Sequence, residues 1–280
     1  MKSSGKTIRR ICFEIVAIVL ATMVFVPVLL VLTNSLKSYE RIMRAPFELP
    51  DVLHFENYMY VIDFIKYPRM VFNSVLNALV IVPVLVLISS MCGYKLSRNN
   101  TMKSKLIFGL FMFSLTVPFF SIMLPLFQLI GKIGLMDTRF GYAVVAIPLS
   151  VTMPIYLYHG FTKTIPISLE ESAMIDGCTP LGAFFRIVFP LLSPITVTVA
   201  VLKFLDTWND YLLPYLILRK SEIKTLTIAV FAFHQSADRG NVHYEILLAA
   251  FSLSLIPMLI FYFVMQKYII SGMVMGAVKS

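Results

Sequence analysis

Long apolar stretches alternate with polar segments along this chain. The apolar stretches cover residues 15–33, 71–92, 106–130, 141–160, 194–216 and 246–266. Each is long enough for an α-helix to cross the hydrocarbon core of a bilayer, which takes about 20 residues. The pattern therefore predicts an all-α membrane protein with six transmembrane helices in one membrane domain, residues 1–280. The long polar segment 34–70 is predicted to hold a short helix ahead of the second span.

The distribution of basic residues predicts the orientation in the membrane. An even number of spans places both termini on one side. The N-terminal tail carries basic residues and no acid before Glu14, and the 93–105 loop is also basic without any acid. Because basic loops stay in the cytoplasm, both termini are expected there. The first apolar stretch is long enough to span and lacks a clear cleavage site, so we expect a retained span and not a signal peptide.

Composition supports the membrane class and narrows the chemistry. Of 280 residues, 58% are hydrophobic and 14% are charged, whereas soluble domains average about 25% charged. In a membrane chain, a net charge of +9 points to headgroup contact and not to nucleic acid. The cysteines Cys12, Cys92 and Cys178 are expected to be free thiols, and the scattered histidines predict no metal site. No catalytic residues stand out.

A polar segment between the fourth and fifth apolar stretches, residues 168–190, is expected to form two short helices. Ser168 with Glu171 three residues later has the spacing of a capping box, which predicts a helix start. Gly177 is expected to end this helix in the left-handed conformation.

The second short helix has its own boundary signals. Thr179 is a predicted N-cap, Pro180 suits the first helical position, and Pro190 is expected to end the helix. Two helices joined by a tight turn make a rigid knob. Apolar residues on that knob favour contact with a partner.

This segment resembles the EAA loop of ABC importer permeases, the membrane subunits that couple to separate ATPases. The family pattern is roughly E-A-A, two residues, D-G-A, five residues, F, two residues, I, one residue, L-P. The positions that match in register are Glu171, Ala173, Asp176, Gly177, Phe184, Ile187 and Pro190. Ser172 and Cys178 stand where the family has alanine, and Phe189 stands where it has leucine.

The resemblance implies a cytoplasmic coupling loop over 161–193 that docks on an ATPase. The residues expected to couple to the ATPase are Glu170, Glu171, Ala173, Asp176, Gly177, Phe184, Phe185, Arg186, Ile187 and Pro190. Gly5-Lys6-Thr7 resembles the end of a nucleotide-binding motif but lacks its earlier glycine. The chain is therefore expected to be a non-enzyme subunit without cofactor, and ATP and Mg are expected on the partner ATPase.

The C-terminus resembles that of MalG-like permeases of carbohydrate uptake. The matching residues are Gln266, Lys267, Tyr268, Gly272, Gly276, Ala277, Val278 and Lys279. The resemblance implies a type I ABC importer permease in a bacterial cytoplasmic membrane. It also implies a MalF-like second permease, an ABC ATPase dimer and an extracytoplasmic sugar-binding protein as partners. The tail 267–280, with Gly276, Ala277, Val278 and Lys279, is expected to reach toward the ATPase dimer interface.

The fifth apolar stretch carries charges on one helix face. Lys203, Asp206 and Asp210 are spaced i, i+3 and i+7, so they either border a translocation path or include a structural ion pair. Trp208-Asn209-Asp210 resembles the W-N-D/E-F signature of sugar permeases. Trp208 is expected either to stack on a sugar ring or to serve as an anchor or packing residue.

Two other function classes remain open at this point. An ion-coupled secondary transporter using Asp206 and Asp210 predicts transport without an ATPase. A membrane scaffold or sensor predicts binding of a cytosolic partner without solute flux. Neither the identity of the sugar nor its direct contact with this subunit follows from the sequence.

Overall fold

A computed structural model describes residues 2–238 and 244–277, with side chains over 10–233 and 244–267. Within these ranges every regular element is helical, which confirms the all-α prediction. The first elements in chain order are α1 (Lys2–Asn34), α2 (Tyr39–Arg44), α3 (Glu56–Phe64), α4 (Tyr67–Arg98), α5 (Met102–Ser114), α6 (Phe119–Lys132), α7 (Arg139–Ser150) and α8 (Thr152–Thr162). The segment 34–70 thus holds two short helices, α2 and α3.

The second half continues in the same way. Its elements are α9 (Ser168–Ile175), α10 (Pro180–Ala183), a π-helical turn (Phe184–Val188), α11 (Phe189–Leu191), α12 (Ser193–Asn209), α13 (Leu212–Ile217), a 3-10 turn (Ser221–Ile223), α14 (Leu226–Asp238) and α15 (Tyr244–Ala277).

Three described helices are long and apolar enough to cross a membrane unaided, and three bent helix pairs reach that length together. The single helices cover Arg10–Asn34, Tyr67–Arg98 and Tyr244–Lys267. The pairs are α5 with α6, bent by 97°, α7 with α8, bent by 47°, and Pro180–Leu191 with α12, bent by 77°. The described residues thus offer up to six spans, close to the apolar stretches of the sequence.

The bend between α5 and α6 has a local cause. Pro118, the N-cap of α6, has φ −63° and ψ 134°, so the backbone is extended there. Proline has no N–H and its ring disfavours a helical residue before it. The stretch 106–130 is therefore two helices and not one.

The residues group into two compact units. The first combines the chain up to Pro68 with residues 229–258. In this unit, Asn57 of α3 donates from Nδ2 to the Ser35 and Lys37 carbonyls at 3.0 and 3.1 Å. The ring of Phe233 meets the ring of Phe64 edge-on at 5.1 Å. These contacts fix α3 to the end of α1 and to α14.

The second unit combines residues 69–228 with the chain from Leu259 onward. One core cluster is centred on α4 and α7 and includes Leu85, Tyr142 and Val145. Another contains Val86 of α4, Tyr158 of α8 and Phe184 of the π turn. The second cluster places the segment 168–190 against the ends of two spans.

Candidate functional site

The first helix of the coupling loop begins differently from the prediction. Ser168 is not an N-cap, because Ile167 before it is already helical (φ −63°, ψ −31°). The amides of Glu170 and Glu171 both donate to the Ile167 carbonyl, at 2.9 and 3.1 Å. A capping side chain needs an extended backbone at its own residue. The capping-box prediction was therefore wrong.

The turn between the two short helices agrees with the sequence. Gly177 has φ +86°, the left-handed conformation that glycine adopts at no steric cost. Thr179 is extended (φ −66°, ψ 157°), its Oγ1 accepts from the Gly182 amide at 3.1 Å, and Pro180 opens α10. The helix end at Gly177 and the cap at Thr179 are confirmed.

Pro190 does not end the second helix, so that prediction was wrong. The helix runs on through α11 to Leu191. The π turn comes just before the proline, and the Phe189 amide bonds to the Phe184 carbonyl five residues back. A π turn widens the helix, which gives the proline ring room that a regular α-helix would lack. The chain bends by 77° between this helix and α12.

A buried ion pair fastens the coupling loop to α4. The Arg98 guanidinium lies 2.6 Å from Glu170 Oε1, and the two side chains are 15% and 4% exposed. Tyr94 donates its hydroxyl proton to Glu170 Oε2 at 2.7 Å. Arg98 also donates to the Ile165 carbonyl at 2.8 Å. Glu170 was predicted from the sequence as a coupling residue, whereas its partners Tyr94 and Arg98, which lie 76 and 72 residues away in the chain, were not.

The named loop residues divide into an inner and an outer set. Glu170, Ala173 and Phe184 are buried, and Ile187 is half-buried. Phe184 packs on the Tyr94 ring at 5.1 Å. The exposed residues are Glu171, Asp176, Gly177, Phe185, Arg186 and Pro190.

The exposed side of the loop also carries apolar residues that the sequence analysis did not single out as coupling residues. Ile175 is 86% exposed and Leu181 is 57% exposed. Burial of an apolar side chain contributes roughly 1.5–3 kcal/mol, so water is a poor environment for such a surface. The coupling loop therefore has a base that the Arg98–Glu170 pair fixes to α4, and an exposed tip that carries Ile175 and Leu181.

A second region of interest is a polar cavity of about 400 Å³ in the second unit. The residues that line it are Tyr142, Ala146, Ser150, Leu205, Asp206, Thr207, Asn209 and Asp210. Lys203 donates to Asp206 Oδ2 at 2.7 Å, so the ion pair forms. The Asp206 side chain is 61% exposed and the Lys203 side chain 11%.

Asp210 and Trp208 have structural contacts of their own. Tyr142 donates to Asp210 Oδ2 at 3.4 Å, and the Leu213 amide donates to Asp210 Oδ1 at 3.3 Å. Helix α12 accordingly ends at Asn209, short of the predicted boundary at 216. Trp208 is 5% exposed and stacks on Phe204 at 5.9 Å, which favours the packing interpretation over sugar stacking.

The C-terminal tail is described only in part. Gly276 and Ala277 belong to the backbone of α15, while Val278 and Lys279 lie outside the described residues. The described residues include no group of three or more His, Cys, Asp or Glu side chains placed to hold a metal ion.

Residues 85–275 match the family described as "Binding-protein-dependent transport system inner membrane component". The chain is 30% identical to the probable starch degradation products transport system permease protein AmyC of Thermoanaerobacterium thermosulfurigenes, over 97% of this chain and 98% of that protein. It is 33% identical to the arabinooligosaccharides transport system permease protein AraQ of Halalkalibacterium halodurans, over 90% of both.

The chain is also similar to a third permease and to a solved structure. The melibiose/raffinose/stachyose import permease protein MelC of Bacillus subtilis is 30% identical over 95% of both chains. A chain of a bacterial ABC transporter involved in the import of the acidic polysaccharide alginate superposes with a TM-score of 0.78 and 23% identity. The match covers 94% of this chain and 97% of that chain, which shows the type I permease fold.

Proposed function

The chain belongs to the family of binding-protein-dependent transport system inner membrane components, and on this basis we propose that it is the permease subunit of an ATP-driven sugar importer. The observation that carries the proposal is the family match over residues 85–275, which includes the whole coupling loop. The chain forms half of the translocation pathway in a bacterial cytoplasmic membrane. A MalF-like second permease forms the other half.

Oligosaccharides are the proposed substrate class. The relatives described above are named for starch degradation products, arabinooligosaccharides and melibiose, raffinose or stachyose. An extracytoplasmic sugar-binding protein delivers the sugar. The polar cavity beside Asp206 and Asn209 is the proposed border of the sugar path in this subunit, because hydroxyl-rich ligands need hydrogen-bonding groups inside a membrane.

The coupling loop is the proposed connection to the ATPase. Its base is fixed to α4 by the Arg98–Glu170 pair, so the loop and the span move as one body. The exposed tip, with Ile175 and Leu181, enters a cleft of the ATPase. Glu171 and Asp176 bond polar groups of that cleft. The Gly177 turn sets the angle between the two short helices.

Transport follows from rigid-body motion. Both termini are cytoplasmic, so the loop faces the ATPase dimer, which holds ATP and Mg. When the ATPase dimer closes around bound ATP, it moves the coupling loop. The Arg98–Glu170 pair transmits that displacement to α4. The cavity then opens outward to receive sugar, and hydrolysis returns the inward-facing state.

The test is isolation of the tagged protein from native membranes, followed by reconstitution into liposomes. A second permease and an ABC ATPase are expected to copurify. Uptake of an oligosaccharide is expected to require ATP on the loop side and binding protein on the opposite side. Isolation of this chain alone, with uptake driven by an ion gradient, would establish the secondary-transporter alternative. Partner binding without uptake would establish the scaffold alternative.

A further inference from the structure

A second cavity of about 590 Å³ lies in the second unit, at the turn between α4 and α5. The residues that line it are Leu96, Ser97, Arg98, Asn99, Asn100, Ser104, Lys105, Phe108, His159, Lys163 and Ile167. Its walls come from the end of α4, the start of α5, the end of α8 and Ile167 just before α9. Of these lining residues, Arg98 alone also takes part in the contacts that hold Glu170 to α4.

The lining is cationic. It includes Arg98, Lys105 and Lys163, and no carboxylate is among the lining residues. The charge of Arg98 is matched by Glu170. Neither Lys105 nor Lys163 has an ion pair within the described part of the chain. Two unmatched ammonium groups therefore border this cavity.

The start of α5 is electrostatically unfavourable without a bound anion. The positive end of a helix dipole favours acidic residues in the first turn. The first turn of α5 has no acid and instead contains Lys103 and Lys105. An anion in the cavity would relieve the repulsion between Lys105 and the helix terminus, whereas Lys103 is not among the residues that line the cavity.

Amide donors also line the cavity. Asn99 and Asn100 belong to its wall, and their side-chain N–H groups can donate hydrogen bonds to the oxygen atoms of an anion.

One side of the cavity is apolar. Leu96, Phe108 and Ile167 line it, and Phe108 stacks on His159 with ring centroids 3.9 Å apart. This stack fixes α5 to α8, so the cavity is a structural feature of the helix packing. A ligand that fits has an anionic head and an apolar portion.

We propose that this cavity binds a phosphate-bearing anion through Lys105 and Lys163. Its two possible sources are an anionic phospholipid headgroup and a free phosphate ester. Lysine ammonium groups bind phosphate as point charges, and basic pockets between membrane helices on the cytoplasmic side bind anionic headgroups. The apolar wall suits the acyl chain of a lipid. The bound ligand lies against Arg98, the residue that fixes Glu170.

The test measures binding to the purified full-length protein, with the subunits that accompany it, by titration calorimetry in detergent. The probes are dihexanoyl phosphatidylglycerol, glycerol phosphate and dihexanoyl phosphatidylcholine. The test variant is Lys105→Ala with Lys163→Ala. The matched control is Lys95→Ala with Lys103→Ala, which removes the same charge from the same membrane side but outside the cavity lining.

Saturable binding of phosphatidylglycerol is expected, weakened about thirtyfold in the test variant and changed less than about threefold in the control. Equal binding of glycerol phosphate would identify a free phosphate ester as the source, whereas weak binding would identify a lipid. A Lys105→Arg, Lys163→Arg variant is expected to keep binding.

Absence of saturable binding for every probe would overturn the proposal. Equal weakening in the test and control variants would also overturn it, because it would show diffuse charge attraction. Binding is measured without transport, so this result is independent of the importer assignment.

Discussion

Arg98, in the last turn of α4, forms a buried ion pair with Glu170 of α9 at 2.6 Å. The two residues are 72 positions apart in the chain, and their pair connects a membrane span to the coupling loop. Tyr94 adds a hydrogen bond to the same carboxylate at 2.7 Å. A displacement of the loop therefore acts on α4 through a few short contacts.

Removal of one partner of this pair is expected to destabilise the protein. Glu170→Leu leaves Arg98 without its carboxylate in a buried place, which costs about 3 kcal/mol. Replacing both partners by apolar residues is often neutral, so Arg98→Met with Glu170→Leu is expected to recover most of the stability. Thermal unfolding in detergent measures both effects. Equal unfolding temperatures for wild type and Glu170→Leu would contradict the role of the pair.

Two substitutions at Gly177 can distinguish the effect of backbone strain from the effect of an added charge in the coupling loop. No neighbouring atom lies within 4 Å of an added Cβ there, so only the φ of +86° opposes a substitution. Asn and Asp both tolerate this conformation, which makes Gly177→Asn the matched control for Gly177→Asp.

Gly177→Asp is expected to abolish ATP-driven transport and ATPase copurification, because it adds a charge to the docking surface. Membrane insertion is expected to remain intact in both variants, and Gly177→Asn is expected to retain most copurification. Normal coupling in Gly177→Asp would refute this prediction.

Phe184 and Phe185 are adjacent in sequence but have opposite environments. Phe184 is 2% exposed and Phe185 is 42% exposed. Phe184→Ala is expected to lower the unfolding free energy by about 3–5 kcal/mol. Phe185→Ala is expected to leave stability nearly unchanged and to reduce ATPase copurification, since aromatic residues dominate interface energetics. Thermal unfolding and copurification distinguish the two, and a reversal of these effects would exclude the assignment.

Gly93 marks a close approach of α4 to α8. An added Cβ would lie 2.7 Å from Tyr158 Cβ and 2.9 Å from both the His159 amide nitrogen and the Ile155 carbonyl oxygen. Because backbone atoms cannot turn aside, Gly93→Ala is expected to cost about 1–3 kcal/mol. Gly160→Ala has open space and is the control. Thermal unfolding measures the stability of both variants. An equal loss of stability in Gly93→Ala and Gly160→Ala would contradict the close approach of α4 to α8.

Lys37 predicts a pH dependence for the segment after α1. It is 1% exposed, and its Nζ donates to Asn34 Oδ1 and the Ala45 carbonyl, both at 2.9 Å. Burial, followed by the charge of Arg41, lowers the pKa of Lys37 from its ordinary 10.5. A lowered lysine pKa means that the folded state disfavours the proton, so stability rises as pH increases through the lowered pKa toward 10.5.

The measurement is amide hydrogen exchange over residues 34–58, corrected for the intrinsic rate. Protection is expected to increase in the wild type as the pH rises toward the ordinary lysine pKa of 10.5, because the folded state disfavours the proton. Lys37→Met removes this increase, and it lowers protection at neutral pH because carbonyl acceptors lose their donor. An unchanged pH profile in Lys37→Met would contradict the prediction.

Local signals in the sequence were sufficient for the elements that depend on neighbouring residues. The positive φ of Gly177 and the cap at Thr179 follow from residue type within one turn. The capping-box prediction at Ser168 was wrong because Ile167 before it is already helical. Residue type alone does not reveal where the helix begins. The predicted helix end at Pro190 was wrong because the π turn over Phe184–Val188 accommodates the proline. That turn depends on how Phe184 and Val188 pack in the core.

The contacts of Arg98 and Tyr94 with Glu170 could not be predicted from the sequence, for a different reason. Arg98 appeared only as a contributor to a basic loop, and Glu170 only as one of two adjacent carboxylates. Which carboxylate turns inward is decided by the face of α9 that meets α4, a contact between distant parts of the chain. The same holds for Trp208, whose burial depends on its packing against Phe204.

The Arg98–Glu170 pair also has a consequence in time. Chain elongation proceeds at about 5–20 residues per second, so Glu170 leaves the ribosome roughly 4–14 seconds after Arg98. During that interval α4 is already a candidate for insertion, while its arginine has no carboxylate of its own. The loop contact is therefore a late step of biogenesis. A nascent chain arrested before residue 170 would leave Arg98 without its carboxylate partner.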